Sequence, residues 1–401
     1  MTFLKKAATY YQACALMFLN TVLLFVVANV AVLAFSKAKV WLSKEPKLGR
    51  TSYLCPLYGK SLKALYPGMS EEQIDEVLDE TWSRPMLHEP FTGFRERPHK
   101  GKYVNVDENG FRHTKDQGPW PPDASKFNVF LFGGSTTFNY AVADDQTMAS
   151  FLQDLLREDL GPNVRVYNFG RGAYYSTQER ILFERLVASG VALDMAIFID
   201  GLNDFYSNTD TPMFTDWFEE CARARNSPKP APLPVERLPL YEPARWLKHK
   251  LIAKGGNVNA APLDEARFQD EGVVSGVIGR YRQNKKIVEA VAGAYNVRTV
   301  FVWQPIPTYG YDLNYHPCAR VVQERFGYTK LGYRRMKELA AQGGMGNSFL
   351  WIADMQRDRR ELLYVDDCHY TVAMSKMVAE AIFNLMKERG LLRARGGGRR
   401  L

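Results

Sequence analysis

The chain has 401 residues, 46% apolar and 13% aromatic, which is enough to bury a large core and too apolar for a mostly disordered polymer. The formal charge of +8 sits at the ends: residues 1–50 carry +6 and residues 387–401 carry +5, which leaves −3 for residues 51–386. This argues against a folded basic face for a nucleic-acid backbone and points the two ends towards a membrane surface.

The stretch Cys14–Phe35 is almost wholly apolar and long enough to cross a bilayer as a helix. Lys5 and Lys6 precede it, and Lys37, Lys39, Lys44 and Lys47 follow. A cleavable signal peptide has a shorter apolar region, so residues 1–38 read as an uncleaved single-pass anchor. The lysine count favours the following side as cytoplasmic. The short N-terminus before a large domain favours export, and an extracytoplasmic (periplasmic) domain is preferred. Cys14 lies in the anchor. Cys55, Cys221, Cys318 and Cys368 form two disulfides if the domain is exported, or remain thiols if not. No CxxC pair is present, so no zinc site is expected. Cys368 reads as a small buried residue rather than a redox group.

Residues 39–126 are rich in Pro, Tyr, Trp, Arg and Gly. One helix is predicted there, capped by Ser70 with Glu71–Glu80 as its body. The remainder, with a turn at Asn109-Gly110, reads as an irregular strap packed on the next domain. From 127 onward strands alternate with helices. The strands are Asn128–Phe132, Val164–Asn168, Met195–Asp200, Val297–Trp303 and Phe349–Ile352. The helices are Gln146–Glu158, Thr177–Ser189, Ile278–Tyr295, Leu331–Ala341 and Ala373–Arg389. This rhythm implies right-handed βαβ units and a parallel sheet covered on both faces. Residues 205–275 interrupt it with Pro228, Pro230, Pro232, Pro234, Gly255 and Gly256, and read as an inserted lid or binding loop. The domain is bounded at 127–390, and the basic tail 391–401 reads as solvated.

Four short blocks lie at strand ends: Gly133-Gly134-Ser135; Asn168-Phe-Gly-Arg-Gly-Ala-Tyr-Tyr-Ser176; Asp200-Gly201-Leu202-Asn203-Asp204; and Asp366-Asp367-Cys368-His369. In open parallel sheets, ligands bind at that edge. In this order the blocks resemble those of the SGNH (GDSL-type) hydrolases, across roughly residues 127–390. The upstream region is similar to that of a membrane-anchored bacterial branch. The resemblance implies a flavodoxin-like three-layer α/β/α fold, a serine esterase without metal or other cofactor, and a Ser135–Asp366–His369 triad. It assigns the oxyanion donors to the Ser135 N–H, a backbone N–H of the second block and the Asn203 side-chain amide. Counting without a gap puts Ala173 at the second-block position; a one-residue gap puts Gly172 there. Gly134 stands where many members have Asp.

The chemistry needs these residue types. A serine hydroxyl is a poor nucleophile at neutral pH without an adjacent base. His369 can take and return its proton, and Asp366 can hold the imidazole tautomer. Plainer readings stand beside these: Ser135 as a helix cap, Asp366 or Asp367 as caps of the last helix, Asn203 as a turn residue, and Asp204 as a buttress of that turn. His316 is either a pocket or a surface-loop residue. Arg171, Tyr174 and Tyr175 either select an acidic or carbohydrate-like substrate or pack under the strap. The leading expectation is hydrolysis of a carboxylic ester, with a carbohydrate O-acetyl ester as candidate substrate. An O-acyltransferase with the same triad and a non-catalytic binding module are the alternatives. A phosphate cradle is disfavoured because the turn lacks a nucleotide-loop pattern.

Overall fold

The computed structural model describes residues 2–42, 62–226, 238–241, 243 and 270–392. Cys55, the prolines from 228 to 234, Gly255, Gly256 and the tail from 393 lie outside the described residues. The chain divides into two compact units. One comprises Met1–Pro46 and Glu219–Ala261; the other comprises Lys47–Phe218 and Pro262–Leu401.

The first unit contains helix α1 (Thr2–Leu42). Its apolar part, Lys5–Lys37, is 33 residues long and almost wholly exposed. At 1.5 Å per residue that is about 50 Å, more than a bilayer core requires. Asn29 is buried within it. Its Nδ2 donates to the Phe25 carbonyl at 2.9 Å, and its Oδ1 accepts the Leu240 N–H at 3.0 Å.

The second unit opens with α2 (Leu62–Leu65) and α3 (Glu71–Trp82). Ser70 caps α3 as predicted. Its Oγ accepts the Gln73 N–H, and Gln73 Oε1 accepts the Ser70 N–H at 2.8 Å. Such a box satisfies two otherwise orphaned donors. The rest of the strap is less irregular than expected. Strands β1 (Leu87–Glu89) and β2 (Gly93–Arg95) form one antiparallel hairpin, and β3 (His99–Lys100) and β4 (Asn105–Val106) form another.

A parallel sheet of five strands forms the centre of the unit among the described residues. The strands are β5 (Phe127–Gly133), β6 (Val164–Asn168), β7 (Met195–Asp200), β8 (Arg298–Trp303) and β9 (Phe349–Trp351), in the order β6-β5-β7-β8-β9. All pairs are parallel, with Val129 opposite Met195 and Ile197 opposite Val300. Successive side chains point to opposite faces. Phe130, Phe132, Phe198, Phe301 and Trp303 therefore face one layer, and Val129, Leu131, Ile197, Val300 and Val302 face the other. Phe132, Phe198 and Phe301 stack in a row across three strands, at 4.8 and 5.2 Å between centroids.

The short helices α4 (Ser135–Phe138), α7 (Leu202–Tyr206) and α10 (Ala319–Phe326) decorate this frame, and α8 (Thr215–Asn226) has residues in both units. The covering helices are α5 (Met148–Leu160), α6 (Ser176–Ala188), α9 (Glu271–Ala294), α11 (Thr329–Ala341) and α12 (Val372–Glu388). The aromatic face is covered by α6, α9 and α11, through Phe183, Tyr281 and Tyr333 among others. The aliphatic face is covered by α5 and α12, through Leu152, Leu156, Val378 and Ile382. Helix α9 begins at Glu271 rather than Ile278, because Asp270 caps it by accepting the Gly272 N–H at 2.7 Å. Cys14, Cys221 and Cys368 are free thiols.

Candidate active site

The strand order reverses at β5, with β6 on one side and β7 on the other, and crevices open at the carboxyl ends of strands at such a point. Gly133 ends β5, Gly134 precedes the first turn of α4, and Ser135 is its first residue. Ser135 is half-buried. Among the described residues, neither its hydroxyl nor its backbone N–H has a hydrogen-bond partner. The turn is held from outside: Thr136 donates to Gln304 Oε1 at 2.6 Å, and Asn168 Nδ2 donates to the Thr137 carbonyl at 2.8 Å. Gly134 is required by packing. A Cβ there would lie 2.3 Å from Asn203 Nδ2.

Asn203, at the end of β7, donates from Nδ2 to the Tyr174 carbonyl at 2.7 Å. The second hydrogen of that amide has no partner among the described residues. Asp204 turns away and accepts the Ser176 hydroxyl at 2.6 Å. Beneath this turn the carboxyls of Glu179, Asp200 and Asp204 are all buried. Burial pushes all three above the usual carboxylate range; mutual repulsion adds to it for Glu179 and Asp200, while Arg280 partly offsets it at Asp204.

The two second-block candidates differ. The Gly172 N–H donates to Glu96 Oε1 at 2.9 Å. The Ala173 N–H has no partner among the described residues, and Ala173 sits in the left-handed region at φ +61°. Arg171 is buried and pairs with Glu89 and the Tyr174 hydroxyl. Tyr174 in turn donates to the Phe94 carbonyl, and Tyr175 is buried as well. Arg171 and Tyr174 pack under the strap, the second of the two readings offered for them, while the Tyr175 ring lies against the Arg280 guanidinium.

The fourth block is a closed turn: the Val365 N–H donates to the His369 carbonyl at 2.8 Å, and Tyr364 bridges Tyr370. Asp366 Oδ1 accepts the N–H groups of Cys368 and His369, at 3.0 and 2.8 Å. Its Oδ2 lies 2.7 Å from His369 Nδ1. Burial alone would raise the Asp366 pKa. The His369 charge and these hydrogen bonds outweigh it and hold the carboxyl below its ordinary range. An ionised carboxylate only accepts, so Nδ1 carries the proton and Nε2 is left to accept one. Asp367 faces Arg325 instead, and burial raises its pKa. Burial, with Asp367 and Asp366 nearby, also pushes the Cys368 thiol well up, which keeps it protonated.

The His369 ring stacks on Tyr140 at 5.2 Å and 23°, and meets Trp82 edge-on at 5.4 Å. The Tyr140 N–H donates to the Ser135 carbonyl at 3.2 Å, so Tyr140 touches both residues. No hydrogen bond joins Ser135 to His369 among the described residues. His316 is not a surface residue: it is buried against Tyr364 at 5.2 Å, and its Nδ1 accepts the Cys318 N–H. Burial pushes its pKa down to about 4, so it is neutral at pH 7. Asp366, Asp367, Cys368 and His369 offer ligand atoms within 4.8 Å of one another. Asp366 is committed to His369 and Asp367 to Arg325, so an ion would have to displace both contacts.

Sequence reasoning missed the strap residues at this site. Glu96 and Trp82 reach it from the strap. Arg112 is fully buried, pairs with Asp144 at 3.1 Å and donates to the carbonyls of Phe138, Asn139 and Val142, just past Ser135. Arg112 closes the Gly110-Phe111-Arg112 stretch of the strap, which carries no local sign of such a contact.

The chain is similar to several solved structures. The chain is similar to a lipolytic protein of the G-D-S-L family from Desulfitobacterium hafniense, at 12% identity and TM-score 0.35 over 65% of this chain and 99% of that one. An acetyl xylan esterase matches at 12% identity and TM-score 0.35, over 64% and 98%. A lipase/acylhydrolase from Enterococcus faecalis matches at 13% and 0.36, over 68% and 100%. At such identity and TM-score the likeness carries no part of the chemical reasoning. No protein-family model matches the sequence, and no curated protein sequence does.

Proposed function

We propose that this chain is a serine ester hydrolase of the SGNH type. The observation that carries the reading is the buried Asp366–His369 pair, 2.7 Å apart, with an ionised carboxylate on Nδ1. In this reading His369 Nε2 takes the Ser135 proton as Oγ bonds to the ester carbon. The carbonyl oxygen becomes an oxyanion. The Ser135 N–H, the Ala173 N–H and the free hydrogen of Asn203 Nδ2 serve it, because the Gly172 N–H is already held by Glu96. Collapse expels the alcohol, which leaves with the proton from Nε2. Water then gives a proton to Nε2 as its oxygen bonds to the acyl carbon; the acyl–Oγ bond breaks, Oγ takes the proton back from Nε2, and the carboxylic acid leaves.

The substrate class proposed is a carbohydrate O-acetyl ester, now on the weight of an exported, anchored architecture alone, since Arg171 does not line the crevice. Helix α1 serves as an uncleaved anchor with the enzyme on the extracytoplasmic side; its 33-residue span of high mean hydropathy supports the anchor. The test treats the full chain in detergent with a fluorophosphonate probe, beside Ser135→Ala, and reads intact mass. A single adduct that vanishes in the variant is expected, followed by acetate release from an acetylated glycan. Acetate retained on an added sugar acceptor would redirect the reading to acyl transfer. A folded protein that takes no adduct and cleaves no p-nitrophenyl ester would replace the enzyme with a binding module.

A further inference from the structure

The strap supplies a buried acid that none of the catalytic blocks contains. Glu96 follows β2, is 1% exposed, and collects three donors. Its Oε1 takes both the Gly172 N–H at 2.9 Å and the Tyr140 hydroxyl at 2.5 Å. Its Oε2 takes Arg84 at 3.4 Å. Each contact leads somewhere. Gly172 immediately precedes Ala173, whose free N–H points the proposed oxyanion turn. Tyr140 follows Ser135 by one turn and lies flat on the His369 ring, while Trp82, also from the strap, meets that ring edge-on. One carboxylate oxygen therefore ties together the turn that would stabilise negative charge and the platform that orients the base. A buried carboxylate without donors is strongly unfavourable, so these partners are held tightly.

We propose that Glu96 is a positioning residue of the active site, fixing the Gly172–Ala173 turn and, through Tyr140, the His369 ring. The inference rests on the esterase reading above. Glu96 does not touch the reacting atoms. Its effect is on geometry, and a displacement of about 1 Å at a reacting group costs roughly 10² in rate.

The experiment compares wild type, Glu96→Ala, Glu96→Gln and Tyr140→Phe in the full chain, with p-nitrophenyl acetate across pH 5–9 and with the fluorophosphonate labelling rate. Glu96→Ala should lower kcat about 100-fold with KM changed less than threefold, and should change the shape of the pH profile. Glu96→Gln keeps an oxygen for both donors and should recover kcat to within about fivefold of wild type. Tyr140→Phe keeps the ring but not the hydroxyl, and should lose about tenfold. If Glu96→Ala does not fold, the other two variants decide the matter. A Tyr140→Phe enzyme with wild-type kcat and pH profile overturns the inference, as does a folded Glu96→Ala enzyme that labels at the wild-type rate. A wild type that neither labels nor hydrolyses overturns the esterase reading itself, which separates the two failures.

Discussion

Asp366→Asn is the sharpest probe of the proposed mechanism, because the surrounding hydrogen bonds dictate how the amide must sit. Oδ1 of Asp366 accepts two backbone N–H groups, at 3.0 and 2.8 Å, so the asparagine oxygen must take that position. Its NH2 then occupies the place of Oδ2, 2.7 Å from His369 Nδ1. A donor there forces Nδ1 to accept, which moves the ring proton to Nε2 and removes the base from the side that would face Ser135. The expected fall in kcat is about 10⁴, or roughly 5 kcal/mol of barrier, with KM little changed. The assay is steady-state hydrolysis of p-nitrophenyl acetate at pH 8, beside Asp367→Asn as control. Asp367 pairs with Arg325 rather than His369, so its variant should keep kcat within about threefold. An Asp366→Asn enzyme within tenfold of wild type, or an Asp367→Asn loss as large as that of Asp366→Asn, would refute the assigned tautomer.

Three further outcomes are expected. Glu179 keeps its proton in the fold because burial, then Asp200 and Asp204, raise its pKa, whereas the unfolded chain releases it near pH 4. The contribution of Glu179 to stability should therefore be fully present below about pH 4 and be lost as pH rises towards the folded pKa, at up to about 1.4 kcal/mol per pH unit for that proton. Glu179→Gln should flatten the slope in urea melts between pH 5 and 8; an unchanged slope would assign it elsewhere. Gly134→Ala would put a methyl 2.3 Å from Asn203 Nδ2 and displace that amide, with kcat falling about 10² in the same ester assay; full activity would remove Asn203 from the oxyanion site. Ala173→Gly relieves a left-handed alanine worth roughly 1 kcal/mol while keeping the backbone N–H, so thermal melts should rise by a few degrees with kcat within twofold. A large loss of kcat would mean that the alanine methyl, not the N–H, matters.

The sheet was legible because its strands are near-continuous apolar runs: Val164–Asn168 and Met195–Asp200 lie where the pattern puts them. The start of α9 was not, because Gly272, Val273, Val274 and Gly276 weaken the helical signal and only the Asp270 cap defines it. The strap hairpins have strands of two and three residues, too short for alternation to show. In the candidate site, Ser135, Asn203, Asp366 and His369 were legible as short motifs in order. The choice between Gly172 and Ala173 was not, because it turns on which backbone N–H is already bonded. Glu96 reaches Tyr140 across 44 positions and Gly172 across 76, and no local pattern encodes such pairings.

Arg112 has a consequence for where this fold begins as an inheritable piece. Its guanidinium serves three carbonyls of the loop after Ser135, and Leu62, Leu65 and Tyr66 share a buried cluster with Ala141 and Val365. A chain cut at Phe127, where the repeating βα pattern starts, would strand those carbonyls and open that cluster. Gene shuffling that preserves the crevice must therefore carry the segment from Leu62 along with the sheet, and recombination breakpoints among descendants should cluster before that leucine rather than at the first strand.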